Sequence, residues 1–194
     1  KIHLKLLQQS SKFELIGFYD DNEEIAKKVE EEFGYKRFSS QEEMIQAADV
    51  IDVVTPTVSH FEIAKKIIIA GKHLFIEKPV TSNFQEAEEL ISLAKNHKVK
   101  GQVGHVERFN PAFRAVADKI ELPMFIEAHR LAELNPRRTD VPVVLDRMIH
   151  DIDSILSVVD SPVKNIHARG VSVISATPDI DNARIAFEHG CVAH

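Results

Sequence analysis

The stretch His73-Leu74-Phe75-Ile76-Glu77-Lys78-Pro79 is an apolar segment that stops abruptly at a glutamate, a lysine and a proline. Its first four residues predict a buried strand, which Pro79 cannot extend because proline lacks a backbone N–H. Proline also favours an extended conformation for the residue before it, so Lys78 is predicted to be held at the strand end. Ligands of open parallel sheets lie beyond the carboxyl ends of the strands. The stretch therefore predicts a functional lysine, although an isolated Lys-Pro pair also fits an ordinary surface loop.

Similar apolar strands alternate with amphipathic helices over the first hundred residues. The predicted strands are 13–19, 50–54, 73–76 and 99–103. Capping residues are predicted for the helices between these strands. Gly34 is the predicted C-terminal stop of one helix, and the predicted N-terminal capping pairs are Ser40 with Glu43 and Ser82 with Gln85. This alternation is typical of right-handed βαβ units on a parallel sheet.

The pattern changes after Gly104. Predicted helices begin at Asn110-Pro111 and span about 143–159, and predicted strands cover 124–130, 163–174 and 183–187, with a polar loop at 175–182 and a turn at 188–190. The predicted fold class is α/β: a Rossmann doubly wound parallel sheet at 1–104, followed at 105–194 by an α/β domain with a large, mostly antiparallel open sheet. Both ends look cut, so we expect the chain to be part of a longer protein.

Composition narrows the function classes. Hydrophobic residues make up 44% and charged residues 28%, typical of a globular domain with a real core. The net charge of -6 argues against a nucleic-acid surface, and no apolar run approaches the ~20 residues of a membrane span. The single cysteine, Cys191, excludes an internal disulfide framework, suits a reducing cytoplasm and is predicted to be a small buried residue.

Asp20 follows the predicted strand at 13–19. An acidic residue at this place in a dinucleotide-binding fold accepts hydrogen bonds from the adenosine ribose and repels a 2′-phosphate, which favours NAD over NADP. The same residues would also turn the chain and cap the next helix. The glycine-rich fingerprint that should precede this strand is missing, and we expect it to lie just before Lys1.

Three further positions are candidate cofactor contacts. Thr55 and Pro56 end the predicted strand at 50–54, and His60 lies in the first turn of the following helix. A helix N-terminus at this edge could contact the cofactor, whereas the alternative is that Pro56 merely starts the helix.

The predicted helix at 143–159 carries polar residues on one face. Asp146, His150, Asp153 and Ser157 repeat at helical spacing, apart from an apolar stripe. A His and an Asp one turn apart suit general acid–base chemistry. The alternatives are a solvated face or a metal site, and the second lacks another His or Cys to complete it.

Cationic and polar residues that begin the second domain are candidate substrate contacts. His105, Arg108 and Asn110 should lie over the carboxyl edge of the sheet, where Arg108 could bind a phosphate or carboxylate. An interdomain salt bridge is the equally weighted alternative for Arg108. Arg137 and Arg138, in a proline-flanked loop, are further candidates.

Together, Thr55-Pro56 with His60, then Glu77-Lys78-Pro79, then the Asp-x-x-x-His-Asp pattern that starts at Asp146, resemble the Gfo/Idh/MocA family of NAD(P)-dependent sugar oxidoreductases. The resemblance implies that Lys78 and His150 form the catalytic pair, with Asp146 orienting the substrate. It also implies that Glu77 contacts the nicotinamide ribose and that His3 ends a Gly-x-Gly-x-x-Gly-x-x-His opening. Gly104-His105 departs from the family, since many members have asparagine there.

The family resemblance implies an NAD-dependent dehydrogenase that acts on CH–OH groups of a sugar or sugar nucleotide. The segments 104–111 and 145–153 are most similar to members that oxidise C3 of UDP-N-acetylglucosamine. A cytoplasmic homodimer or homotetramer formed through the second sheet is expected, without metal. Two alternatives remain: a non-enzymatic NAD-sensing regulator of the same fold, or a reductase of a non-sugar substrate.

Overall fold

The computed structural model describes residues 1–131, 142–174 and 178–194. Its first half contains a parallel sheet of three strands in the order β1-β2-β3. The strands are β1 (Val50–Val53), β2 (His73–Ile76) and β3 (Gly101–Val103). The helices are α1 (Ile2–Gln9), α2 (Glu23–Phe33), α3 (Gln41–Ala47), α4 (Thr57–Ile69) and α5 (Phe84–His97). The predicted parallel sheet with intervening helices is therefore confirmed.

The predicted strand at 13–19 is wrong in extent. The segment forms a single parallel bridge, between Phe18 and Arg37, and Phe13 is 54% exposed. Gly17 passes so close to the neighbouring segment that a side-chain carbon there would lie 2.4 Å from the carbonyl oxygen of Lys36. Apolar composition suggested a longer strand, but pairing is limited to this one close approach.

Helix ends follow the expected capping chemistry, with one correction. Gly34 ends α2 in the left-handed conformation, and Ser40 caps α3 by accepting from the Glu43 N–H, both as predicted. Helix α5 is capped by Asn83, which accepts from the Glu86 N–H, and not by Ser82 with Gln85. The capping pair is shifted by one residue because asparagine is as good an N-cap as serine and has a glutamate three positions later.

The second half is built on a mixed sheet of four strands in the order β4-β7-β6-β5. The strands are β4 (Phe125–Ile126), β5 (Val163–Val171), β6 (Ile180–Phe187) and β7 (Val192–Ala193). The pairs β5–β6 and β6–β7 are antiparallel, whereas β4–β7 is parallel. The predicted strand at 124–130 is reduced to two residues. Residues 180–182, predicted as loop, belong to β6 because they pair with 169–171 of β5.

Three helical segments follow β3, the first two before β4 and the third between β4 and β5. They are a 3₁₀ turn (Val106–Phe109), α6 (Pro111–Ala117), and a π-helical turn (Val144–Met148) that continues into α7 (Ile149–Val158). The predicted helix at about 143–159 is confirmed, although its first turn is wider than an α-helix.

Among the described residues, buried side chains form a small cluster at Phe18, Ala26, Val29 and Tyr35 and two larger clusters. The first of the larger clusters lies between β1–β3 and the helices α3, α4 and α5, and the second joins α7 to β6 and β7. Cys191 is fully buried in the second cluster, as predicted, and its burial raises the pKa of the thiol. The separate clusters agree with two domains, while the boundary at 104/105 stays a prediction.

Candidate active site

Lys78 lies where the sequence places it, directly beyond β2. The Glu77 N–H donates to the carbonyl of Val53 on β1, which holds the strand end before the chain turns at a cis Lys78–Pro79 peptide. The Lys78 ammonium donates to the backbone carbonyl of Asp146 and, at 3.1 Å, to its Oδ1. Only 13% of the Lys78 side chain and 14% of the Asp146 side chain are exposed. A buried ion pair thus joins the first sheet to the π-helical turn.

His150 lies in the first turn of α7, one turn beyond Asp146. Its pKa is lowered from the ordinary value of 6.5, first because burial disfavours the charged ring and then because Lys78 and Arg130 are positively charged. Its Nδ1 is buried without a hydrogen-bond partner in the described structure. A neutral imidazole with an uncommitted nitrogen can accept a proton from a bound hydroxyl group.

Arg108 forms a salt bridge with Asp153, but both residues lie in the predicted second domain, so this is not the interdomain bridge that the sequence left as the alternative. Its Nε and a terminal nitrogen each lie 2.6 Å from an oxygen of Asp153, whose side chain is 8% exposed. The paired carboxylate raises the pKa of Arg108. His105 lies nearby, with Nδ1 3.7 Å from Asp153 Oδ1. The polar face of the helix is therefore not simply solvated, and a substrate role of Arg108 or His105 stays a prediction.

His60 links the ends of β1 and β2. It is 1% exposed, and its Nδ1 and Nε2 each lie 2.9 Å from a carbonyl oxygen, of Pro79 and Thr55 respectively. Pro56 occupies the position before the first residue of α4. These contacts hold Thr55 and the Lys78–Pro79 turn beside one another; cofactor contacts by Thr55, Pro56 and His60 stay predictions.

Three residues at this edge form a linked polar group that the sequence did not predict as a unit. His3 Nδ1 lies 2.9 Å from Asp52 Oδ2, and His3 Nε2 lies 3.2 Å from Glu77 Oε1. Asp52 was missed, although an acidic residue inside an apolar strand is itself a signal. Burial raises the pKa of Asp52, and its second oxygen is buried without a hydrogen-bond partner in the described structure.

Other predicted site residues have local roles. Asp20 Oδ1 accepts from the Asn22 N–H and so turns the chain into α2, which is compatible with its predicted ribose contact. Asn110 caps α6 by accepting from the Ala112 N–H. Arg137, like Arg138, lies outside the described residues.

A cavity of about 530 Å³ lies between the π-helical turn with α7 and the second sheet. Asp146 and Arg147 line one side, and Arg130 with Asp151 lines another. The Arg130 guanidinium donates hydrogen bonds to both carboxylate oxygens of Asp151, and this pairing raises the pKa of Arg130. This pair was not predicted, because the two residues are adjacent only in the folded chain.

Residues 1–131, 142–174 and 178–194 contain no group of three or more His, Cys, Asp or Glu side chains that could hold a metal ion. In the same residues, none of the helices is long and apolar enough to span a membrane.

Comparisons with known proteins agree with this geometry. Residues 1–105 match the family model Gfo/Idh/MocA, described as an oxidoreductase family with an NAD-binding Rossmann fold. UDP-N-acetylglucosamine 3-dehydrogenase from Acidithiobacillus ferrooxidans is 34% identical over 182 residues, 93% of this chain and 58% of that protein. The uncharacterized oxidoreductase YrbE of Bacillus subtilis is 30% identical over 75% of this chain and 47% of its own length.

Solved structures show the same fold. The structure of UDP-N-acetylglucosamine 3-dehydrogenase GnnA from A. ferrooxidans superposes with a TM-score of 0.91 at 32% identity, over 100% of this chain and 64% of that one. GenD2 from gentamicin A biosynthesis, in complex with NAD, has a TM-score of 0.87 at 18% identity, over 99% of this chain and 60% of its own, which is evidence of the fold alone. The chain therefore spans between 47% and 64% of the length of these proteins.

Proposed function

Because this chain belongs to the Gfo/Idh/MocA oxidoreductase family with an NAD-binding Rossmann fold, we propose that the protein oxidises a secondary alcohol of a sugar or sugar nucleotide with NAD. The observation that carries the proposal is the meeting of Lys78 with Asp146, one helical turn from a His150 whose pKa is lowered. Two cationic or basic groups from different halves of the chain then face one reacting oxygen.

The residues at the carboxyl edge of the first sheet fit NAD. Val53, Ile76 and Val103 end the three strands at the same level, and Glu77 and Gly104 follow there. A side-chain carbon at residue 104 would lie 3.1 Å from Glu77 Oε1. Because Gly104 has no side chain, it leaves room for the Glu77 carboxylate. Asp20 and Glu77 would accept hydrogen bonds from the two riboses, and Thr55 would lie along the cofactor. When bound, NAD supplies a hydride acceptor.

His150 would accept the proton of the substrate hydroxyl. Its lowered pKa keeps the ring neutral near pH 7, as a base requires, and its partnerless Nδ1 has a free lone pair or N–H for substrate. Lys78 would donate its remaining N–H to the same oxygen, since an ammonium has three donors and two are used on Asp146. Asp146 thereby orients Lys78.

The cavity beside Asp146 would hold the part of the substrate away from the reacting oxygen, because neither Lys78 nor His150 is among the residues that line it. Acidic and basic side chains alternate in its lining, with Arg130 and Arg147 beside Asp146 and Asp151. Such a lining offers donors and acceptors to sugar hydroxyl groups. The similarity to UDP-N-acetylglucosamine 3-dehydrogenase makes C3 of UDP-N-acetylglucosamine the first substrate to test.

We also propose a cytoplasmic homodimer or homotetramer that is formed through the second sheet. Every residue of β5 is exposed, including the apolar Val163, Ile166 and Val171. Light scattering of the full-length protein tests this, and a monomeric mass would contradict it.

The deciding experiment measures NAD reduction by the full-length protein with a panel of UDP-sugars and free polyols. Turnover of UDP-N-acetylglucosamine that Lys78→Met and His150→Gln abolish would support substrate and catalytic pair together. Lys65→Met, which removes a lysine from the exposed pair with Glu89, is the matched control. Tight NAD binding without turnover of any sugar would contradict the proposal and favour an NAD-sensing regulator.

A further inference from the structure

Asp52 is an acidic residue in an otherwise apolar strand, between the buried residues Ile51 and Val53. Burial of a carboxylate is costly unless a partner compensates it. The partner here is His3 of α1, whose Nδ1 lies 2.9 Å from Asp52 Oδ2. The acidic group of this strand therefore has its hydrogen-bond partner on α1.

His3 is also bonded on its other side. Its Nε2 lies 3.2 Å from Glu77 Oε1, while Glu77 Oε2 accepts from the Lys78 N–H. The rings of His3 and Phe75 also contact one another in a T-shaped arrangement, with centroids 6.0 Å apart. One imidazole thus connects a strand-centre carboxylate to the carboxylate that precedes the candidate catalytic lysine.

The ring can donate to both carboxylates only if both nitrogens carry a proton. Asp52 also fixes the direction of the ring, because its Oδ2 lies against Nδ1 and thereby leaves Nε2 directed at Glu77. Burial raises the pKa of Asp52 and His3 counteracts this, in agreement with a mutually dependent pair. Without the Asp52 carboxylate as acceptor, the ring would lose the contact that directs its second nitrogen at Glu77.

We propose that Asp52, acting through His3, is a positioning residue that holds the Glu77 carboxylate in place for NAD. The inference rests on the proposed function only for its cofactor, and not for its sugar. Asp52 contacts neither the cofactor nor the reacting atoms; its effect reaches them through one hydrogen-bonded ring.

The experiment is a double-mutant cycle on NAD affinity, measured by calorimetric titration of the full-length protein without substrate. We expect Asp52→Asn to weaken NAD binding about tenfold, comparable to losing one hydrogen bond to a charged group. Glu77→Gln should weaken binding to a similar degree, and adding Asp52→Asn to Glu77→Gln should have little further effect, because both substitutions remove the same interaction.

Asp49→Asn is the matched control, since it removes the same charge from an exposed position just before β1. It should leave NAD affinity unchanged. A second pair of variants guards against misfolding: His3→Gln, which retains an amide donor for Glu77, should bind NAD more tightly than His3→Leu. Thermal melting of each variant shows whether it is folded under the conditions of the titration.

Two results would overturn the inference. One is Asp52→Asn with unchanged NAD affinity, whatever its melting temperature, since a purely structural role affects stability alone. The other is full additivity of Asp52→Asn and Glu77→Gln. Because the readout is NAD binding, absence of sugar turnover would contradict the proposed function while leaving this test intact.

Discussion

Two cation–carboxylate pairs hold the helical segment 144–158, one with Lys78 beyond β2 and one with Arg108 in the 3₁₀ turn, and they differ in the hydrogen-bonding groups that they leave available. In the pair Lys78–Asp146 both side chains are buried, at 13% and 14% exposure, and the ammonium retains one N–H. In the pair Arg108–Asp153 the Asp153 side chain is buried but the Arg108 side chain is 46% exposed, and both carboxylate oxygens accept from Arg108.

This difference suggests a chemical role for the Lys78–Asp146 pair and a structural role for the Arg108–Asp153 pair. A desolvated cation with a spare donor beside a neutral imidazole can act on a substrate, whereas a two-pronged salt bridge at the surface mainly fixes geometry. The same contrast holds for two histidines: both nitrogens of His60 face carbonyl oxygens, whereas Nδ1 of His150 lacks a partner in the described structure. At the candidate active site, the groups that keep hydrogen-bonding capacity are therefore the Lys78 ammonium and Nδ1 of His150.

The sharpest test of this contrast is Lys78→Met, which preserves side-chain length and removes the ammonium. We expect turnover to fall by ~10²–10⁴, the usual contribution of a positioned acid–base group, with NAD affinity largely retained. Steady-state kinetics and NAD titration measure the two quantities. Near-normal turnover would show that the Lys78–Asp146 pair, too, serves only attachment.

His150→Gln should reduce turnover by ~10²–10³, because glutamine can hydrogen-bond to the substrate oxygen but cannot accept its proton at neutral pH. The KM for the sugar should change much less than kcat. A change confined to KM would assign His150 to substrate binding.

Arg108→Met should act on stability. It leaves the Asp153 carboxylate buried and without its bidentate partner, so we expect the free energy of unfolding to fall by about 2 kcal/mol. The corresponding shift of the melting temperature is roughly 4–8 °C, measurable by calorimetry. Folded Arg108→Met with abolished turnover would instead support the predicted substrate contact of Arg108.

The smallest expected effect is a decrease of kcat/KM at acid pH, caused by protonation of His150. The base must be neutral, and the pKa of His150 is lowered from its ordinary 6.5, so activity should persist as the pH falls to that value and decline only below it. In a residual-activity assay of His150→Gln this acid limb should be missing. An acid limb above pH 6.5 would argue against a buried His150 as the base.

Much of the first half could be predicted because local signals agree there. The β2 stretch ends at Glu77-Lys78, and helix α2 ends at Gly34, as the sequence indicated. The prediction of a strand at 13–19 was wrong because it used apolar composition alone. A strand also needs a paired neighbour along its length, and this segment pairs at one position only. Similarly, the predicted 124–130 strand pairs with β7 at only two positions.

The sequence by itself determined the α/β class, the alternating strands and helices, and the residue types Lys78, Asp146 and His150, since periodicity and motif order are local properties. Only the tertiary structure decided which charges meet. Lys78 is 68 residues from Asp146, and Arg108 is 45 from Asp153. His3 is 49 residues from Asp52. Such pairings depend on how the sheets and helices pack, because side chains distant in sequence become neighbours only when burial of the apolar faces brings their segments together.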